Sequence, residues 1–152
     1  MKTITIPNNI LIPEIKRTID SGLTATFRVK GYSMRLFLEN DRDKVILAPV
    51  RNALSINDVV LAEIGKDIYV LHRIIDIEGN TITLMGDGNC IGTEKCTKEN
   101  VIGIATGFYR KGRSKPDMVN GFKWKIYTRI WLALKPLRRI ILGIYRRIPI
   151  NI

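Results

Sequence analysis

The chain has 152 residues, the length of one domain with a buried core, and a net charge of +11 whose placement says more than its size. Residues 1–109 hold 13 Lys/Arg against 13 Asp/Glu, whereas residues 110–152 hold 12 Lys/Arg and one acid, Asp117, so any basic-surface role belongs to the tail. A single histidine and two cysteines, Cys90 and Cys96, argue against a four-ligand zinc site within the chain, no cofactor is expected, and no stretch reaches the ~18 uncharged apolar residues of a membrane-spanning helix.

Residues 1–24 read as an N-terminal extension with a short helix. Leu11, Ile12, Ile15 and Ile19 follow helical spacing, and Gly22 supplies the stop. The opening Met1-Lys-Thr-Ile-Thr-Ile-Pro7 lacks the apolar run of a signal peptide. Residues 25–109 then read as five or six short strands. Ala25–Lys30 ends at Gly31, and Lys44–Ala48 is closed by Pro49. Asp58–Ile64 and Asp67–Ile77 flank Gly65-Lys66 as a hairpin, Glu78-Gly-Asn80 turns into Thr81–Met85, and Val101–Tyr109 is rich in β-branched residues. The expectation is a mainly β domain, a folded sheet or partial barrel. Residues 110–121, with Gly112, Pro116 and Gly121, form a linker.

From residue 122 to 152 the period returns to that of a helix. Phe122, Ile126, Ile130, Ala133, Leu137, Ile140, Ile144 and Ile148 recur at steps of three and four, and Trp124, Tyr127, Trp131, Leu134, Ile141 and Tyr145 widen the same face. Eight Lys/Arg from Lys123 to Arg147 occupy the remainder, and Pro136 divides the segment into two helical pieces. Three occupants compete for residues 122–148: the β domain or another protein, an anionic membrane surface, or nucleic acid. Basic residues interleaved with aliphatics suit lipid or a partner groove better than phosphate contacts, so nucleic acid is disfavoured. Trp124, Trp131, Arg138 and Arg139 are the expected contacts to membrane or partner.

The chemistry-bearing residues are Ser33, His72 and Asp87. A serine hydroxyl needs a positioned base to take its proton, histidine suits that task near neutral pH, and a third group orients the ring. Ser33 follows Gly31 in a Gly-Tyr-Ser-Met turn, where the backbone can expose the hydroxyl and offer its own N–H to an oxyanion. His72 lies in a strand with Ile68, Val70 and Ile74 on its face, and Asp87 lies in Gly86-Asp-Gly-Asn89. From the residues alone the alternatives stay open: His72 as a satisfied core histidine, Ser33 as a turn residue, Asp87 as an Asx-turn cap.

Taken in order, Gly31-Tyr-Ser-Met34, Asn57-Asp-Val-Val-Leu61, Val70-Leu-His-Arg-Ile-Ile75, Leu84-Met-Gly-Asp-Gly-Asn89 and Val101-Ile-Gly-Ile-Ala105 resemble the type I signal peptidase and LexA-like serine peptidase superfamily over residues 25–109. His-Arg stands where the Ser-Lys branches have their lysine, so the chain is similar to the Ser-His branch of archaeal and endoplasmic-reticulum signal peptidases. The resemblance implies the family's coiled, mostly β fold, with Ser33 as nucleophile, His72 as general base and Asp87 as acidic partner or its scaffold. Gly31, Tyr32, Met34 and Arg73 would border the oxyanion and substrate region. The chain departs from the family pattern at four places. Leu36 replaces a proline, and Asn57 replaces a glycine. Gly31 replaces a serine that donates to the oxyanion. Glu94 is at best a displaced substitute for a second aspartate.

The expected function is a serine endopeptidase acting on a specific protein or leader peptide, or on itself. A non-catalytic peptide- or membrane-binding module that keeps the fold is the rival. Lacking an N-terminal anchor, it would be cytoplasmic, with peripheral contact to the inner membrane face through the tail. Cys90 and Cys96 are then expected as free thiols.

Overall fold

Antiparallel pairing organises the molecule. A computed structural model describes residues 7–31, 33–35, 37–89 and 92–147. Its eight strands are β1 (Ala25–Arg28), β2 (Lys44–Ala48), β3 (Val59–Gly65), β4 (Ile68–Glu78), β5 (Thr81–Met85), β6 (Glu94–Thr97), β7 (Val101–Tyr109) and β8 (Asp117–Met118). They form an open sheet in the order β1-β2-β7-β3-β4-β5-β6, with β8 paired to β7. The mainly β expectation holds. β6 had no counterpart in the sequence reading, and β8 turns part of the expected 110–121 linker into a strand.

Three α-helices accompany the sheet among the described residues: α1 (Asn8–Asp20), α2 (Phe122–Ala133) and α3 (Arg138–Arg147). α1 begins three residues earlier than the apolar spacing suggests and carries Pro13 inside it. It buries Ile12, Ile15 and Ile19 against Leu47 and Leu61 of the sheet. Each such isoleucine contributes about 1.5–3 kcal/mol relative to exposure. Gly22, at φ +85°, ends the helix in the left-handed region, and the Gly22 and Leu23 N–H groups cap the carbonyls of Ile19 and Thr18.

The β3–β4 hairpin turns at Lys66-Asp67, one residue later than expected, with Asp67 taking the positive φ of 57°. A second cluster, Val60, Ala62, Ile74, Ile82 and Leu84 with the buried free thiol of Cys96, holds β3, β4, β5 and β6 together. Cys90 lies outside the described residues.

The third cluster joins the segment after β1 to α2. Met34, Phe37 and Leu38, from the segment just after Ser33, pack with Phe108 of β7 and Trp124 of α2. Phe37 meets Phe108 edge-on at 5.0 Å between centroids and Trp124 at 4.3 Å. Trp124 and Trp131 are 6% and 4% exposed, and Arg138 is 4% exposed with its guanidinium over the Trp131 ring. Trp124 and Trp131 therefore pack on the β domain and Arg138 on Trp131, so all three are buried within the protein, correcting the expectation that they face a membrane or partner. Arg139 does lie on the surface. The period of 3.6 could not separate the aromatic residues from the aliphatic stripe, because both repeat at helical spacing and both are apolar. α2 turns them to different sides.

Pro136 does break the helix: residues Lys135–Leu137 form a 3-10 turn between α2 and α3. Among the described residues no helix is long and apolar enough to cross a membrane.

Candidate active site

β4 places two adjacent residues on opposite faces, and each builds a different cluster. Successive strand side chains alternate, so His72 and Arg73 point apart although both are buried, at 3% and 1% exposure. His72 lines a cavity of about 170 Å³ whose wall also includes Ser33, Met34, Val29, Leu38 and Leu61. Ser33 and His72, 39 residues apart in sequence, thus line one largely apolar hollow. α1 closes another side of it through Leu11 and Ile12.

The third member at His72 is Glu94. His72 Nδ1 lies 2.9 Å from Glu94 Oε2 across β5. β5 separates β4 from β6 in the sheet, and it ends at Met85, opposite Arg73. Glu94 pairs with Leu84, and Leu84 with Ile74, so Glu94 and His72 share one face of the sheet and the carboxylate reaches the imidazole diagonally. A carboxylate on Nδ1 fixes that nitrogen as the protonated one and leaves Nε2 as the lone-pair nitrogen. Glu94 is itself partly exposed, at 26% for its side chain.

Asp87 serves elsewhere. Its carboxylate accepts from Arg73 Nε at 2.8 Å and from Arg73 Nη2 at 2.6 Å, a two-point pair with both side chains almost wholly buried. Arg73 Nη1 donates to the Asn57 carbonyl at 3.3 Å and to Thr128 Oγ1 at 3.2 Å, and the guanidinium lies 5.0 Å from the Trp124 ring. Burial alone would lower the Arg73 pKa, and the Asp87 contacts outweigh that and raise it. Tyr127, whose hydroxyl donates to Asp87 Oδ2 at 3.4 Å, is pushed strongly upward by burial and by the Asp87 charge. Trp131 Nε1 donates to the Asp87 carbonyl at 3.2 Å. Asp87 is thus a clamp between β4 and α2, correcting the expectation that it partners His72. Arg73 is the other half of that clamp, not a substrate-region residue.

The clamp reaches the serine through the backbone. The Gly88 N–H donates to the Ser33 carbonyl at 2.6 Å, and the Asp87 N–H donates to Met34 Sδ at 3.4 Å. At Gly86 a Cβ would stand 2.3 Å from the Ser33 carbonyl oxygen and 2.9 Å from Ser33 Cβ, so only glycine fits. Gly31, at φ +92°, makes the entry to the turn, and its N–H is taken by Asn40 Oδ1 at 2.7 Å. Tyr32 and Leu36 lie outside the described residues. Asn57, standing where the resembled family has glycine, adopts the left-handed φ of 81°.

Sequence alone points to Ser33 and His72 and leaves Glu94 no more than a displaced substitute. Its role was hidden because β6 has only four residues and no alternating apolar pattern to announce it. Among the described residues no group of three or more His, Cys, Asp or Glu side chains could hold a metal ion. No family model matches the chain, and no curated protein matches it.

Proposed function

We propose that the chain is a serine endopeptidase in which Ser33 is the nucleophile, His72 the general base and Glu94 the orienting acid. The observation that carries this reading is the His72–Glu94 pair at 2.9 Å beside a cavity that Ser33 also lines. In the mechanism, His72 Nε2 takes the Ser33 proton as the oxygen attacks a peptide carbonyl, then returns it to the leaving amine. Water then releases the acyl group by the same route in reverse. Glu94 holds the proton on Nδ1 and stabilises the imidazolium that forms. With Gly31 offering no side chain and its N–H engaged by Asn40, backbone donors of the Ser33 turn would carry the oxyanion.

The fold this implies is the coiled β fold of the signal peptidase and LexA-like superfamily. Support comes from the five motif segments in order and from Asn57, which takes the backbone conformation that a glycine would otherwise supply. The apolar lining, with Val29, Leu38 and Leu61, suits an aliphatic side chain of a peptide or protein substrate. β1 is a sheet edge, and Phe27 borders the cavity, so an extended peptide can add there as a further strand.

Incubation with a fluorophosphonate, followed by intact-mass analysis, tests the assignment. One adduct is expected on the wild type, none on Ser33→Ala or His72→Ala. Glu94→Gln is expected to label about 10²–10⁴-fold more slowly with an unchanged melting temperature. An adduct that persists in Ser33→Ala sinks the nucleophile. No adduct on the wild type, with peptide still bound, identifies the rival binding module.

A further inference from the structure

α2 and α3 are apolar on two sides, and the rest of the protein covers only one. The inner side carries Trp124, Tyr127 and Trp131 in α2 and Leu142 and Tyr145 in α3, and the Tyr145 hydroxyl reaches Glu39 at 3.1 Å. The outer side carries Phe122, Ile126, Ile130, Leu137, Ile140 and Ile144, exposed by 80%, 39%, 54%, 50%, 61% and 54%. At about 100° per residue, the outer residues of each helix fall within roughly a quarter-turn of one another, and their mean direction lies roughly a third of a turn or more from that of the inner ones. Folding therefore leaves six large apolar side chains in water on the outer sides of α2, α3 and the turn between them, more than scattered surface exposure accounts for.

Charge decides what covers them. Lys123, Lys125, Arg129, Lys135, Arg139, Arg146 and Arg147 are all exposed, and no acid occurs from residue 118 to 147. A second copy of the same face would bring these cations against one another. A nucleic acid would neutralise them and leave the aliphatic stripe wet. An anionic bilayer surface satisfies both components, with side chains such as Ile130 and Ile140 among the acyl chains and the cations at the headgroups.

We propose that α2 and α3 seat these outer side chains on an anionic lipid surface while their inner side stays docked on the rest of the protein. The contact residues are the aliphatic stripe and its flanking cations. Trp124, Trp131 and Arg138 remain inside the protein. The proposal does not depend on the peptidase reading, since it uses no residue of the cavity.

The test is flotation of the full chain with phosphatidylcholine vesicles, with or without phosphatidylglycerol. Flotation is expected with phosphatidylglycerol only, and it should weaken as salt screens the headgroups. Ile130→Glu/Ile140→Glu should abolish it, and Lys125→Glu/Arg129→Glu should weaken it by about tenfold or more. Both variants alter exposed side chains, so their melting temperatures should match the wild type. Tryptophan emission should stay unchanged on binding. Several results would overturn the proposal: equal flotation on neutral vesicles, no flotation at all, or flotation that survives the glutamates. So would a dimer in solution that the glutamates dissolve, which would assign the stripe to a second copy.

Discussion

Replacing Gly86 by alanine should separate the Ser33 turn from its support, and the structure sets the size of the effect. The added Cβ would lie 2.3 Å from the Ser33 carbonyl oxygen, 2.9 Å from Ser33 Cβ and 3.0 Å from the Ser33 carbonyl carbon. Two of these atoms are backbone, so no rotamer change relieves the contact. Ordinary separation requires the Gly86–Gly88 segment and the Ser33 turn to part by roughly 0.7–1 Å, because packed carbon and oxygen atoms do not approach within about 3 Å. The 2.6 Å bond from the Gly88 N–H to the same carbonyl stretches with them. Overpacking of this kind costs about 1–3 kcal/mol, and a displacement near 1 Å at a reacting group lowers its rate by about 10²-fold. Thermal melting and the rate of fluorophosphonate labelling measure the two quantities. Gly92→Ala, where no atom lies within 4 Å of the added Cβ, is the control expected to change neither. A Gly86→Ala protein with wild-type melting and labelling would show that the turn does not depend on this support.

Two further perturbations follow from the buried charges. Asp87→Asn leaves Arg73 with its charge uncompensated inside the protein, so urea unfolding should show a loss of about 3–5 kcal/mol, and Arg73→Met/Asp87→Leu should recover much of it. Equal stability of Asp87→Asn and wild type would remove the clamp. Burial alone would raise the Asp43 carboxyl, but the hydrogen bonds from the Arg42 side chain and from the Glu39 and Lys111 N–H groups outweigh it and hold it below the usual range. A lowered folded-state pKa means that Asp43 contributes its stability above the unfolded value of about 3.9, and that the contribution is lost as pH falls through the folded value. Melting temperature should therefore drop below about pH 4 in the wild type and less steeply in Asp43→Asn. Parallel profiles would refute the assignment.

The sheet was legible because alternating β-branched runs and turn residues are local signals. Ser33 and His72 were legible as reactive residue types in ordered motifs. What joins them was not. Glu94 reaches His72 diagonally across one face of three paired strands, and Asp87 is claimed by Arg73 because strand alternation turns neighbouring residues to opposite faces. Neither fact is contained in a spacing. The tail failed for a different reason: one hydrophobic period described two stripes, and only the sheet's position decides which of them is inside.

The union of Phe37, Phe108 and Trp124 has a consequence for the order in which the molecule is made. The Ser33 turn leaves the ribosome early, yet the aromatic ring that closes behind Phe37 and the indole that holds the Asp87 carbonyl belong to residues 124 and 131. A nascent chain that has emerged only through β7 has every strand of the main sheet path but neither of these contacts. The turn bearing the serine is therefore completed last, when α2 emerges and folds back. Synthesis itself delays the moment at which that hydroxyl is held in place.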